Sequence, residues 1–307
     1  MFSPSPNKKT ARRGFVLVSV LMLGVVFISC ATAFVWFTRL QVKNIMREKA
    51  ALENRSMAQV LTLSIMAGLK ADSTAYDSPQ QTWYQPFSFY VEDLGTWVVQ
   101  ITPLDDKIPI RNLFLPDGNT LRSDLRSTWE ALWAKLDATG LVNIALDFMG
   151  KSTKPRVGGA KRENFINRYP LDMSEFLILE EITPELLYGA PGTGKFGLAD
   201  YCTLWSDGKI NLNVAPVHVM EILPGLDKMQ AEKIADYRNK EAITSTSDLR
   251  KIPGFPAKAM ASMMNISTVS SRYFMIRIEL LENNGGGTSI NAIFDKSSSK
   301  VVRWEEI

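Results

Sequence analysis

The sequence predicts an α+β protein in which a long N-terminal helix packs on an antiparallel sheet, and a large, mainly helical domain is inserted into that sheet. Three observations predict this class. An uncharged apolar run over 15–37 continues as a helical pattern to about residue 69. Aromatic and β-branched runs bounded by turn residues lie near 87–101 and again near 273–304. Between these two regions, apolar residues recur at helical spacing.

These changes in pattern divide the 307 residues into five segments. We expect a basic leader at 1–14, the long helix at 15–70, a first part of the sheet at 71–112, an inserted α-domain at 113–265 and a second part of the sheet at 266–307. About 240 residues follow the long helix, which is enough chain for two modest hydrophobic cores.

The apolar run at 15–37 is long enough to cross a membrane as a helix, because about 20 helical residues span the hydrocarbon core. Lys8, Lys9, Arg12 and Arg13 precede it, which favours a cytoplasmic N-terminus. Three interpretations are open. The run is a cleaved secretory signal with a weak small-x-small site near 29–33, an ordinary single-pass anchor, or a segment that a membrane peptidase cuts after Gly14 to leave Phe15 as the new N-terminus.

The sheet is predicted from runs that surround recognisable turns. Residues 87–91 and 96–101 flank Glu92-Asp93-Leu94-Gly95 and predict a hairpin. Residues 105–112 predict a turn and a short edge strand limited by Pro109. Residues 273–280, 289–294 and 301–304 predict a three-stranded antiparallel meander.

The helices of the insert are predicted from apolar stripes and capping residues. A stripe from Leu121 to Leu136 predicts a helix that ends before Gly140. Asp172 is a candidate N-cap for a helix that continues to Glu181, and Thr183-Pro184 begins another short helix.

Composition and motifs argue against an enzyme. The net charge of +3 does not indicate a nucleic-acid-binding field, and the only histidine, His218, favours a packing role on a short helix. Gly189-Ala190-Pro191-Gly192-Thr193-Gly194-Lys195 fits the first part of a phosphate-binding loop. Phe196 follows it where a hydroxyl should hold Mg²⁺, so we interpret the stretch as a Gly-rich connector.

Two hairpins in the insert resemble the paired helix-hairpin-helix module of DNA-uptake and repair proteins. They are Pro224-Gly225-Leu226-Asp227 and Pro253-Gly254-Phe255-Pro256. In DNA binders the second Gly of such a hairpin offers its N–H to a phosphate, but here Asp227 would repel the phosphate and Pro256 has no N–H. The hairpins should keep their fold and lose the binding, and Asp227 should cap a helix over 228–239.

Several landmarks together resemble the minor pseudopilin K family of type II secretion, also called general secretion pathway protein K. They are the basic leader that ends in Gly14-Phe15, the segments at 146–150 and 174–177, Gly208-Lys209-Ile210-Asn211-Leu212-Asn213-Val214-Ala215 with the hairpins that follow, and Ser271-Arg272-Tyr273-Phe274. Major pilins and pseudopilins place a Glu at the fifth mature position, which is Ser19 here. The K family is expected to lack that Glu and to cap the filament tip.

The resemblance implies a pilin-like fold interrupted by an α-domain, and a non-catalytic role in protein export across the outer membrane. It implies cleavage by prepilin peptidase, N-methylation of Phe15, an inner-membrane anchor with a periplasmic body, and a tip complex with the minor pseudopilins I and J above the major pseudopilin. Contact with exported proteins would follow, and nucleic acid is not expected.

Some family members bind Ca²⁺ through acidic loops. The candidate ligands here are Asp93, Asp105, Asp106 and Asp147, and the alternative is that these carboxylates lie in solvated turns. The run at 150–154 that follows Asp147 carries no carboxylate, which argues against calcium at that position.

Two other functions remain open. The first is a membrane-tethered helix-hairpin-helix protein of the DNA-uptake type, for which Gly225 and Gly254 would face the nucleic acid. The second is an anchored structural protein with no further role assigned.

Overall fold

The computed structural model describes residues 8–92, 94–190, 192–281 and 287–307, without the side chains of residues 8–14. The chain divides into two compact units, Met1–Val60 and Leu61–Ile307. The helices are α1 (Lys8–Ala71), α2 (Ser123–Lys135), α3 (Leu141–Met149), α4 (Pro184–Tyr188), α5 (Leu198–Tyr201), α6 (Val217–Met220), α7 (Lys228–Lys240) and α8 (Ala257–Met263). The strands are β1 (Phe87–Val91), β2 (Gly95–Pro103), β3 (Ile108–Pro109), β4 (Cys202–Thr203), β5 (Ile210–Asn211), β6 (Ser267–Thr268), β7 (Tyr273–Leu281), β8 (Gly287–Asp295) and β9 (Lys300–Glu306).

The first unit consists of α1 as far as Val60. Among the described residues, α1 from Phe15 onward is the one helix long and apolar enough to cross a membrane. Several of its hydroxyl groups bond to the helix itself: Thr32 donates to the carbonyl of Ile28 and Thr38 to that of Phe34, each at 2.8 Å. In hydrocarbon, where no water replaces a missing partner, such internal bonds let polar side chains be tolerated.

The second unit contains a five-stranded antiparallel sheet in the order β1-β2-β7-β8-β9. One face carries the apolar residues of each strand, because side chains alternate across a strand: Trp97, Val99 and Ile101 of β2 are buried. The last turns of α1, from Leu61, belong to this unit; Leu69 is buried, and Ile65, Leu69 and Ile101 line one cleft. The predicted hairpin and the predicted meander are confirmed.

The insert leaves and re-enters the sheet at neighbouring positions. Pro103 at the end of β2 pairs with Phe274 in β7, and the Leu104 N–H donates to the Tyr273 carbonyl at 2.9 Å. The chain between these points builds its own hydrophobic core around buried aromatic side chains, among them Trp129, Trp133, Phe148 and Phe176. Ile108 and Ile110 belong to this core, although the sequence boundaries group them with the sheet.

Two local predictions were wrong. The strand ending at Pro109 is not an edge of the main sheet, because β3 pairs in parallel with β4 in a separate two-stranded ladder. The helix after Asp172 does not reach Glu181, because the segment is a 3₁₀-helix that ends at Ile178. The caps themselves are confirmed: Asp172 accepts from the Ser174 N–H at 2.9 Å, and Thr183 accepts from the Leu186 N–H at 3.2 Å.

Candidate functional site

The first hairpin of the insert joins α6 to α7 and is closed by an internal cap. Gly225 has φ +78°, and a Cβ on it would lie 2.9 Å from the Ala259 Cα in α8. Asp227 accepts from the Gln230 N–H at 2.9 Å, and the Gln230 side chain accepts from the Asp227 N–H at 2.8 Å. The predicted N-cap is confirmed. Donors that a phosphate would need at this helix end are therefore bonded to the protein's own side chains.

The second hairpin leads into α8 and offers less to an anion than the first. Gly254 has φ +69°, and Pro256 begins α8 without a side-chain cap and without an N–H. The ammonium of Lys233, from α7, lies 3.5 Å from the Pro253 carbonyl oxygen. Gly225 and Gly254 thus provide the positive φ angles that the two turns require. The atoms described around both glycines belong to α7 and α8 of this protein.

Lysines beside these hairpins form ion pairs with neighbouring acids. Lys228 lies 3.9 Å from Glu232, and Lys251 lies 3.0 Å from Asp248. Hydrogen bonds from Thr244 are the main cause that lowers the pKa of Asp248 to about 2, so this carboxylate is charged at neutral pH. Acids interleaved with the lysines reduce the positive field that duplex DNA would require.

Two buried asparagines fasten the hairpin region to the rest of the second unit. The Asn211 side chain donates to the Asp77 carbonyl at 3.1 Å and to the Ser271 hydroxyl at 2.9 Å. The Asn213 amide exchanges two bonds of 2.9 Å with the backbone of Ile243. Both residues are fully buried, so their replacement by apolar residues would strand backbone groups without partners.

Arg238 completes this arrangement from α7. Its guanidinium donates to the carbonyls of Leu212 and Ala215 at 2.7 and 2.6 Å. Burial is the largest cause that lowers its pKa below the usual arginine value. The segment at 208–215, which carries the family resemblance, therefore has a structural role: its backbone and side chains bond to α7 and to neighbouring loops.

Asp105, a candidate calcium ligand, is fully buried at the point where the insert leaves the sheet. Its carboxylate accepts the backbone N–H groups of Asp207, Arg272 and Tyr273 at 2.9, 2.8 and 3.0 Å. Burial, opposed by these bonds, raises its pKa to about 6. The Asp105 carboxylate therefore holds together the segment that enters the insert after β2 and the segment that returns to the sheet at β7.

Asp147, the second candidate, is buried at the end of α3. One carboxylate oxygen lies 2.6 Å from the Arg156 guanidinium and the other accepts the Arg156 N–H at 2.9 Å. The ammonium of Lys161 donates to the carbonyls of Asp147 and Gly150 at 2.8 and 2.9 Å. Both carboxylate oxygens of Asp147 are thus bonded to Arg156, and two nearby backbone carbonyls are bonded to Lys161, so the oxygen atoms that a metal ion would use already have partners.

The other two candidates contribute less. Burial is the main cause that raises the pKa of Asp106, and Lys107 opposes that shift. Asp93 lies outside the described residues. Within the part of the chain that the structure describes, no group of three or more His, Cys, Asp or Glu side chains is arranged to hold a metal ion.

The predicted processing site lies in α1, which runs through Gly14 and Phe15. Phe15 is exposed, and the Ser19 hydroxyl donates to the Phe15 carbonyl at 2.9 Å. Ser19 thus needs no partner from another subunit, whereas a carboxylate at this position would need one in lipid. Cleavage after Gly14 stays a prediction.

The Gly-rich stretch at 189–195 and His218, which we considered as possible enzymatic features, make contacts within the protein. Lys195 pairs with Glu185 at 2.8 Å, and Ala190 and Lys195 form a β-bridge, while Pro191 lies outside the described residues. His218 stacks on Phe196 with ring centroids 3.9 Å apart and hydrogen bonds to the Asp200 carbonyl at 3.1 Å. Burial lowers the pKa of His218, which favours its neutral form.

Sequence reasoning missed two carboxylates that join the insert to the sheet. Asp77 accepts from the Ser271 N–H at 2.6 Å, and Asp295 forms a bidentate ion pair with Arg272 at 2.9 and 2.8 Å. Arg272 is the main cause that lowers the pKa of Asp295 well below its usual range. No local pattern could have indicated these pairs, because their partners lie far along the chain.

Comparison with known proteins gives two positive findings. The helix-hairpin-helix motif family matches residues 206–265, which confirms the interpretation of the paired hairpins. A chain in the crystal structure of the GspK-GspI-GspJ complex from the enterotoxigenic Escherichia coli type 2 secretion system superposes with a TM-score of 0.60 at 14% sequence identity, covering 87% of this chain and 99% of that chain. No curated protein sequence matches this chain. The molecule therefore has a pilin-like α+β fold that resembles GspK.

Proposed function

We propose that this protein is a minor pseudopilin that caps the tip of a type II secretion pseudopilus and helps to start its assembly. The observation that carries the proposal is the fold similarity to a chain of the GspK-GspI-GspJ complex over 87% of this chain. Coverage of that extent requires both the sheet and the insert to correspond, which a shared hairpin motif or a shared anchor alone would not produce.

The apolar helix supplies the physical reason for a tip position. A subunit inside a filament needs a carboxylate near its N-terminus to neutralise the ammonium of its neighbour in the membrane, since an unpaired charge there is costly. This chain has Ser19 at that place, with its hydroxyl bonded to its own backbone. Such a subunit suits the end of a filament, where the bulky insert would prevent another subunit from adding above it.

The proposal carries several further expectations. Prepilin peptidase would cut after Gly14, and Phe15 would be N-methylated. The anchor would lie in the inner membrane with the body in the periplasm, in contact with the minor pseudopilins I and J, the major pseudopilin and, at the exposed tip, exported proteins. The role is non-catalytic, and calcium is not required for it.

Co-purification of the full-length chain tests the proposal. The chain would be co-expressed with the I-type and J-type minor pseudopilins of the same bacterium and purified in detergent through a tag on this chain. We expect a stable three-protein complex, and a matched co-expression with the major pseudopilin alone should give little recovery. Recovery of this chain without either minor pseudopilin would contradict the proposal.

One observation favours a second function, DNA binding by the tethered insert. It is the helix-hairpin-helix match over 206–265. Asp227 and Pro256, which occupy the phosphate-facing positions of the hairpins, argue against it. A mobility-shift assay with the full-length chain in detergent decides between the functions: the pseudopilin proposal expects no retardation of duplex DNA at low salt, and salt-sensitive retardation would favour the DNA-uptake class.

A further inference from the structure

An open cavity in the insert collects cationic side chains around an apolar floor. It encloses about 460 Å³ near the start of α2 and the end of α3. Arg111, Arg122, Lys151 and Arg168 line it, and no acidic side chain does. The floor includes Phe114 and Tyr169, whose rings stack with centroids 5.8 Å apart.

Two of the four cations already have carboxylate partners. Arg122 forms two hydrogen bonds with Asp124, at 3.1 and 2.7 Å, and Arg168 forms two with Glu175, at 2.9 and 3.2 Å. These pairs hold both guanidinium groups at the wall and neutralise them. They shape the cavity and add little net charge to it.

Arg111 is different, because its guanidinium has no hydrogen-bond acceptor among the described residues. Its guanidinium carbon lies 4.4 Å from the centroid of the Trp205 ring, a cation–π contact that is not a hydrogen bond. Partial burial is the largest cause that lowers the pKa of Arg111, and the nearby Arg303, which is itself paired with Asp172 and Glu305, adds to the shift. A partly buried arginine with five unused donors is the feature that an anion would satisfy.

Lys151 supplies the second uncompensated charge. It forms no ion pair within the described residues, and its aliphatic stem crosses Gly118 so closely that a Cβ there would lie 2.8 Å from the Lys151 Cδ. Gly118 has φ +70°, so the turn both requires glycine and leaves the space that the stem fills. Lys151 is exposed and lines the cavity, and no carboxylate among the described residues neutralises its charge.

We propose that this cavity binds a small oxyanion carried on a flat apolar body. Arg111 would receive the oxyanion in a bidentate arrangement, Lys151 would add a second positive charge, and the half-buried Tyr169 ring and the exposed Leu115, which both line the cavity, would contact the apolar part. A carboxylate and a phosphate monoester share this chemistry. The proposal does not depend on the proposed role of the protein in secretion.

Titration calorimetry on the full-length chain in a non-ionic detergent tests the site. The probes are N-acetylphenylalanine and phenyl phosphate, with uncharged N-acetylphenylalaninamide as the matched control. We expect saturable binding of at least one anion, weakened by added salt, and no binding of the amide. The anion that binds more tightly identifies the source, a carboxylate or a phosphate.

Variants locate the binding. Arg111→Gln and Lys151→Gln should each weaken the affinity about tenfold, the usual consequence of losing one charged hydrogen bond. Arg111→Lys should recover only part of it, because an ammonium lacks the planar fork of donors. Lys154→Gln removes an exposed lysine from the same loop outside the cavity and should leave the affinity unchanged. Equal binding of the amide, absence of binding by both anions, or equal affinities in all variants would overturn the proposal.

Discussion

Asp105 is the residue at which burial and hydrogen bonding compete most clearly. Its carboxyl has a pKa of about 6 in the folded protein, against an ordinary value of 3.8. The folded state therefore holds the proton more tightly than the unfolded state. The stability that this group contributes is fully present below about pH 4 and is lost as the pH rises through 6, by about 3 kcal/mol in total.

The prediction is that Asp105→Asn removes this pH dependence. The variant should be less stable than the natural protein at pH 4, where Asp105 is protonated, because the hydroxyl oxygen of the acid can still accept an N–H bond and the NH₂ group of an amide cannot. The difference in free energy of unfolding between the two proteins should become smaller as the pH rises towards 7.5. Urea unfolding of both proteins in detergent at a series of pH values measures this difference, and a difference that stays constant or widens would refute this account of Asp105.

Ser19 is the residue on which the tip position depends. Ser19→Glu would place a carboxylate in the membrane without the neighbouring ammonium that it needs, at a cost on the order of 3 kcal/mol. We expect the yield of assembled pseudopili to fall by about 100-fold, as that free energy implies. Ser19→Ala removes only the internal bond to the Phe15 carbonyl and should assemble normally. Equal assembly of the Glu variant would show that the missing acid does not set the position.

Residue-level roles were predictable from sequence where the partner is local. The N-cap role of Asp227 follows from its place at the end of the hairpin, directly before the predicted helix, and the structure shows the reciprocal bonds with Gln230. The roles of Asp77 and Asp295 were not predictable, because Ser271 and Arg272 reach them only after the chain has returned from the insert. From the sequence alone, a buried carboxylate with a distant partner cannot be distinguished from a solvent-exposed loop carboxylate.

At the scale of elements, the two hairpins provide a matched pair of glycines. Both have positive φ, so alanine should strain the backbone at each by about 1 kcal/mol. At Gly225 the new Cβ would also meet the Ala259 Cα at 2.9 Å, whereas at Gly254 the nearest atom is the flexible Lys233 ammonium at 3.5 Å. Gly225→Ala should therefore cost 1 to 3 kcal/mol more, by roughly the penalty of overpacking.

Thermal unfolding of the two glycine variants measures that difference. The expected order of stability is natural protein, then Gly254→Ala, then Gly225→Ala. The reverse order of the two variants would mean that α8 does not pack on the first hairpin as described.

The loop after α3 is fixed to the end of that helix by two of its own basic side chains, Arg156 and Lys161. Arg156→Gln would leave the Asp147 carboxylate buried without its partner, which typically costs about 3 to 5 kcal/mol. Arg162→Gln is the control, since its pair with Glu181 is much more exposed and should contribute under about 1 kcal/mol.

The same loop bears on calcium. Because Arg156 and Lys161 already occupy the oxygens around Asp147, we expect a chelator to leave the unfolding temperature of the natural protein unchanged. A drop on chelation that added Ca²⁺ reverses would contradict this expectation. Sequence reasoning could note the absence of further carboxylates after Asp147 but could not foresee that basic side chains fold back into the loop.

At the scale of the whole molecule, the second unit combines the five-stranded sheet with the separate hydrophobic core of the insert. The insert begins and ends at neighbouring positions of strands β2 and β7. Since the chain leaves at Pro103 and returns beside it at Phe274, an insert of this size leaves the pairing of β2 with β7 intact. The local hairpins were predictable because each contains its own turn. The two-residue parallel ladders of β3 with β4 and β5 with β6 were not, because they pair segments distant in sequence and are too short to leave a pattern.

The proposed function also belongs to this scale, since it requires an anchor and a capping body in one chain. The proposed function requires cleavage after Gly14, which would leave Phe15 at the start of an apolar helix with Ser19, rather than an acid, at the fifth position. The position of the mature N-terminus distinguishes a pseudopilin from an ordinary anchor and from a secretory signal. The chain would begin at Phe15 in the first case, at Met1 in the second and near Ala33 in the third.

Intact-mass and N-terminal peptide analysis of the chain isolated from membranes tests this most directly. The account predicts a mature protein that begins at Phe15 and carries one methyl group on its N-terminal amine. A chain that still begins at Met1, or one cut near Ala33 and released from the membrane, would contradict it.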